Sequence, residues 1–180
     1  MTLRQLMTAA ALFGAVATVS ACSAEPPSAA PVNAAPATAP QAADRQKDPR
    51  FLADDLPLLP TGVVMAVRPV GVVRATYEFA ARHPEVMKYV PCFCGCERGG
   101  HQDNHDCFVA QRGPDNKVTA WDTHAIGCQV CIDVANDAMQ MHNSGAAVSA
   151  IRDAVDKKYG PHYENHTPTP KPKRGGPSPN

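Results

Sequence analysis

Pro91-Cys92-Phe93-Cys94-Gly95-Cys96 places three thiols at alternate positions of one six-residue run. Only Cys107, Cys128 and Cys131 follow downstream. Three thiols this close cannot all point into one apolar core, so the run constrains the fold more than any other stretch. It suits a group that needs several sulfurs at once, either a soft metal ion or a thiol relay.

The seventh cysteine, Cys22, has a separate explanation. Residues 1–21 read as a signal peptide, with Arg4 as the charged start and Ala9 to Val19 as a short apolar core. The stretch is too short to span a membrane. It ends Val19-Ser20-Ala21-Cys22, which resembles the lipobox of bacterial lipoproteins. That resemblance implies lipidation at Cys22 and attachment to a bacterial membrane on its extracytoplasmic side. The alternative is an ordinary secreted chain with a free Cys22. In such a compartment six thiols must be paired, metal-bound or kept reduced by a dedicated system.

Of 17 Lys and Arg, one is lost with the leader (Arg4), which leaves 16 against 17 Asp and Glu. A balance this near zero argues against nucleic acid as a partner. Residues 22–48, after the lipidated Cys, are rich in Ala and Pro and read as a tether, because so few large apolar residues cannot offset the entropy of ordering. Residues 164–180 form a similar Pro- and Lys-rich tail, read as disordered. That leaves residues 49–163 for one Cys-rich domain, small enough to benefit from metal or disulfide staples.

The expected fold is mainly α: a small helical bundle with a Cys-rich loop, flanked by the disordered tether and tail. Phe51 to Leu59 should cover the core edge. A helix is expected from about Pro69, with Val73, Tyr77 and Ala80 inward. Pro84 can open a short second helix, which Pro91 stops, so the cysteine run lies in a loop. Asn104 to Gln111 reads as another short helix, Gly113-Pro114-Asp115-Asn116 as a turn, and Lys117 to Trp121 as a brief extended piece. Asp122 or Thr123 is the expected cap of a central helix over about 124–142. A last helix carries Val148, Ile151, Val155 and Tyr159, and Gly160-Pro161 is its expected stop.

On the central helix His124, Cys128, Cys131, Ala135, Ala138 and His142 recur at spacings of three and four, which puts them on one face. His124, Cys128 and Cys131 therefore bring three donors together locally, and a helix start favours thiolate. The competing role is packing, with both thiols as small buried hydrophobes. His101 and His105, between Cys96 and Cys107, read as polar loop residues first and as ligands second. Met87, Met139 and Met141 read as core filling rather than thioether ligands. Asp153 and Asp156 read as a solvated face.

Taken together, the PCFCGC run resembles the signature of the bacterial PCYCGC-motif lipoproteins, with Phe93 where the motif has Tyr. The likeness continues through His101, Asn104 to Phe108, Trp121-Asp122, His124, Cys128-Gln129-Val130-Cys131, Ile151-Arg152-Asp153 and Lys158-Tyr159-Gly160. The resemblance implies an exported or lipid-anchored protein, with metal handling suggested by its cysteines. The C-terminal half is also similar to the thiol-bearing helical subunit of bacterial cytochrome c maturation systems, which implies a thiol–disulfide role for Cys128 and Cys131. Ile132 follows Cys131, so the CxxCH of a c-type haem site is missing.

Three readings stay open. In the first, Cys92, Cys94, Cys96, Cys107, Cys128 and Cys131, with His124 as a seventh donor, bind a soft ion: Cu(I) is favoured and Zn(II) follows. In the second, Cys128 attacks and Cys131 resolves in a thiol–disulfide oxidoreductase or redox partner. In the third, three disulfides staple an inert interaction domain. Partners would be a metal donor, a metal acceptor or a thiol redox protein. No sequence pattern points to a hydrolase.

Overall fold

The computed structural model describes residues 47 to 173. The leader, Cys22 and nearly all of the tether lie outside the described residues. The first helix, α1, spans Val70–Arg82 directly after Pro69 and buries Val73, Tyr77 and Ala80 on one face. Its fixed φ makes Pro69 a ready-made start. Pro84–Met87 forms the short helix α2, and Val86, Met87 and Val90 are fully buried beneath it. Helix α3, Gln129–Asn143, packs against α1, and helix α4, Val148–Tyr159, packs against α3.

Before α1, Leu52 and Leu59 close the core edge from an irregular segment. Arg68 then pins the entrance of α1 to α3 through two bonds to Asp133 (2.7 and 2.6 Å).

A two-stranded antiparallel ribbon joins the cysteine loop to α3. Its strands are β1, Val109–Arg112, and β2, Val118–Trp121. The extended piece over Lys117 to Trp121 is therefore present, whereas the helix expected over Asn104 to Gln111 is not. Only His105–Cys107 winds, as a single 3-10 turn. The reason is non-local: Gly113 donates its N–H to Lys117 O (2.8 Å), Asn116 takes a left-handed φ of 64°, and the turn folds residues 109–112 onto β2.

The central helix also begins later than its spacing suggests. His124–Gly127 is a 3-10 turn, and Cys128 is extended (φ −118°, ψ 102°), so the α-helix starts at Gln129. Gly127 is a poor helix former, and Asp122 Oδ1 accepts the His124 N–H (2.7 Å), which favours a separate local turn. At the other end, Gly160 does not adopt the left-handed stop. Its φ of −49° carries α4 into a 3-10 turn over Gly160–His162.

Tyr77 is the centre of the core. It is fully buried and meets Phe108 and Trp121 edge-on (centroids 4.9 and 5.4 Å). Its hydroxyl donates to Asp122 O (2.8 Å), which fixes the chain two residues before His124. Tyr77→Phe strands that carbonyl and is expected to cost about 1–3 kcal/mol. A urea titration against the parent checks it, and a change within experimental error would show that the bond contributes nothing.

Glu164 to Lys173, assigned by composition to the tail, packs on the domain. Thr167 and Thr169 are buried. The Cys92 N–H donates to Thr167 Oγ1 (2.8 Å), and Cys92 O accepts the Thr167 N–H (2.9 Å). Thr169 Oγ1 donates to Gln102 O (2.8 Å). Pro168 and Pro170 have little backbone freedom to lose, which lowers the cost of ordering so polar a segment. The ordered chain thus continues past residue 163.

Candidate metal centre

Gly95 shapes the loop. Its left-handed φ of 82° is costly for any residue with a Cβ, and a Cβ there would lie 2.7 Å from Arg98 Nη2. Through Gly95 the chain turns at once into the 3-10 segment Cys96–Gly99, and the strict alternation of a strand is lost. Phe93 is buried and stacks on Tyr159 (5.7 Å), which ties the loop to the end of α4. The hydroxyl that distinguishes Tyr from Phe is not needed for this packing. Asn104, fully buried, stitches the loop to both sides: its N–H donates to Val90 O (2.8 Å) and its Nδ2 to Cys131 O (3.4 Å).

These constraints bring all six predicted cysteines together with His124. Cys92 Sγ lies 3.3 Å from Cys94, 3.3 Å from Cys131 and 3.5 Å from Cys107. Cys131 Sγ is 2.7 Å from Cys128, and Cys94 Sγ is 3.2 Å from His124 Nε2. Cys96 Sγ is 3.6 Å from Cys107. All six are free thiols. Although Cys128 stands outside the helix, it is the residue just before α3, and Cys131 occupies the first turn, so the two sulfurs still meet.

His101 also belongs here, although it reads as a loop residue in the sequence. Its Nδ1 is 3.4 Å from Cys107 Sγ, and its ring lies 5.5 Å from that of His124. Its position between Cys96 and Cys107, together with the family likeness that runs through it, is the signal in the sequence. His105 does not join the thiols; its Nε2 faces Arg112 Nη2 (3.1 Å). Met87 is core, and Met139 and Met141 pack against it. Asp156 is engaged by Arg152 (2.8 Å), so it is not a free solvated carboxylate.

Three overlapping groups can each hold an ion: Cys92, Cys94, Cys107 and Cys131; Cys94, His124, Cys128 and Cys131; and Cys96, His101 and Cys107. Within each, the donor atoms lie within 4.8 Å of one another. Ligands 2.3 Å from a tetrahedral ion stand about 3.8 Å apart, so side-chain adjustments of up to about 1 Å bring the donors to that spacing. Cys94, Cys131 and Cys107 are each shared between two groups.

Burial is graded across the cluster. Cys92, Cys107 and Cys131 are fully buried, Cys94 and Cys128 are half-buried, and His124 is exposed. The side bearing Cys94, Cys128 and His124 is therefore the solvent-accessible face of the cluster. Proton affinity is uneven as well. S–H donation by Cys107, then by Cys131, pulls Cys92 down to about 4. Cys94 is also lowered, first by Cys107 and then by Cys128. Cys107 is pushed up by Cys131 first and then by Cys92. For Cys128 the contact with Cys131 acts downward, but Cys94 and burial outweigh it and leave the thiol up at about 11.

The fold and site define a class: a small helical domain whose thiols, drawn from one loop, one turn and one helix start, converge on a cluster able to hold metal. Within that class the chain belongs to the family described as "Protein of unknown function with PCYCGC motif", whose model matches residues 17–172. No curated protein and no solved structure matches. The likeness of the C-terminal half to the cytochrome c maturation subunit therefore receives no support from them.

Proposed function

We propose that this protein is a metal-binding lipoprotein that holds a soft ion, Cu(I) before Zn(II), on the outer side of a bacterial membrane. Lipidation at Cys22 would anchor it there, with the Ala- and Pro-rich stretch as its tether. The observation that carries the metal reading is the shared-neighbour pattern. Cys92 has three sulfurs within 3.5 Å. Three disulfides would need each sulfur to have one partner, whereas ions bridged by thiolates need several.

Sulfur donors with flanking imidazoles select thiophilic ions, and Cu(I) accepts the two- and three-sulfur environments at the edges of the cluster. The sharing of Cys94, Cys107 and Cys131 favours more than one ion per chain. Graded exposure suits capture and hand-over to a partner at the Cys94–His124 side.

A thiol–disulfide role for Cys128 and Cys131 draws on their 2.7 Å contact. A nucleophilic thiol should be exposed and of low proton affinity. Cys131 is fully buried, and Cys128 is held up at about 11. This favours metal over exchange.

The deciding experiment is native mass spectrometry of the full chain, prepared anaerobically, with thiol alkylation in parallel. Two or more Cu(I) per chain, with the six domain cysteines protected from alkylation only when metal is bound, is the expected result. Three stable disulfides and no metal uptake would overturn the reading. A single labile Cys128–Cys131 bridge without metal would replace it with thiol exchange.

A further inference from the structure

His142 closes the last turn of α3, about 16 Å along the helix axis from Cys131 at 1.5 Å per residue. It plays no part in the thiol cluster, yet both of its ring nitrogens are shielded from water and have no hydrogen-bond partner among the described residues. A dry, unpaired imidazole nitrogen costs about 1–3 kcal/mol. Beside it sits His83, the C-terminal cap of α1, with ring centroids 4.3 Å apart. His83 Nδ1 in turn lies 3.0 Å from Glu85 Oε1 in the first turn of α2. One donor atom from each of the three residues falls within 4.8 Å of the others.

The geometry points to a second metal site at His83, Glu85 and His142, of different chemistry from the first. Two neutral imidazoles and a carboxylate contain no sulfur, so the site takes a borderline divalent cation such as Zn2+ rather than Cu(I). Phe79 forms its apolar wall, tilted against His83 (4.9 Å) and edge-on to His142 (5.4 Å). His83 and Glu85 are partly exposed and leave the remaining coordination positions to water. Coordination satisfies a His142 nitrogen that has no other partner. It also clamps the end of α1, the start of α2 and the end of α3 at one point. The aromatic contacts alone would account for the rings stacking, but not for two dry nitrogens aimed at no donor or acceptor.

The test is a Zn2+ titration of the full chain, followed by two-dimensional NMR of the imidazole nitrogens. One equivalent, added after the thiols have been loaded with Cu(I), should shift the His83 and His142 rings together. Glu85→Gln, at a partly exposed position that leaves the core intact, should weaken that response by at least about 10-fold, and His142→Gln should abolish it. Cys131→Ser, which removes a donor from two of the three thiol groups, should leave it unchanged, so this site stands or falls independently of the thiolate reading. The inference is overturned if neither ring responds to Zn2+ at millimolar concentration, if Glu85→Gln responds as the parent does, or if Cys131→Ser removes the response.

Discussion

Cys131→Ser is expected to lower Cu(I) affinity by more than about 100-fold, since losing a direct ligand should exceed the 10–100-fold cost of losing a residue that only supports one. Cys131 belongs to two of the three donor groups and touches both Cys92 and Cys128. It is fully buried, and Asn104 holds its carbonyl, so the backbone cannot shift to bring in another donor. A serine oxygen is shorter and harder, and it competes poorly for a soft ion. Cys96→Ser should do much less. Cys96 belongs to one group only, where Cys107 lies 3.6 Å away. Competition with a colorimetric Cu(I) chelator distinguishes them: equal losses from the two variants would argue against a cluster centred on Cys92 and Cys131.

The second large effect is on stability. Arg152→Met is expected to destabilise the fold by about 3 kcal/mol, the low end for breaking a buried ion pair because Asp156 keeps some solvent contact. The Arg152 side chain is only 5% exposed. Its Nε donates to both Asp156 oxygens (2.8 and 2.9 Å), and its Nη1 donates to Tyr89, Thr169 and Pro170 carbonyls (3.2, 3.1 and 2.9 Å). Methionine fills much of the volume and satisfies none of these acceptors. Because two of the lost partners lie in the 164–173 segment, that segment should loosen before the helices do. Urea unfolding measures the first effect and hydrogen exchange at the Cys92 amide the second. A loss below about 1 kcal/mol with unchanged exchange would show that Thr167 alone secures the segment.

What could be read beforehand was whatever local spacing determines. The helical domain, the Pro69 start, the β2 extended piece and the thiols with His124 all follow from short-range patterns. The ligand role of His101 ranks second in the sequence because a single histidine in a polar loop has many roles, and only its distance to Cys107 selects one. The helix start slipped from 124 to 129 because i, i+3, i+4 spacing is blind to the turn that Asp122 and Gly127 impose. β1 was hidden because its partner lies across a turn, and pairing is a tertiary fact. The seating of Thr167 and Thr169 on the domain is illegible in the sequence for a different reason. Composition measures the apolar surface available for burial, whereas Thr167 and Thr169 are held by hydrogen bonds from hydroxyls and backbone.

That same clasp sets where the protein can be cut. A chain ended at Tyr163 would keep every thiol and every helix, yet it would leave the Cys92 amide and carbonyl without the Thr167 partners that satisfy them. Arg152 would likewise face empty space where the Thr169 and Pro170 carbonyls stood. A truncation chosen from composition would therefore remove a wall of the cluster while appearing to trim only a tail.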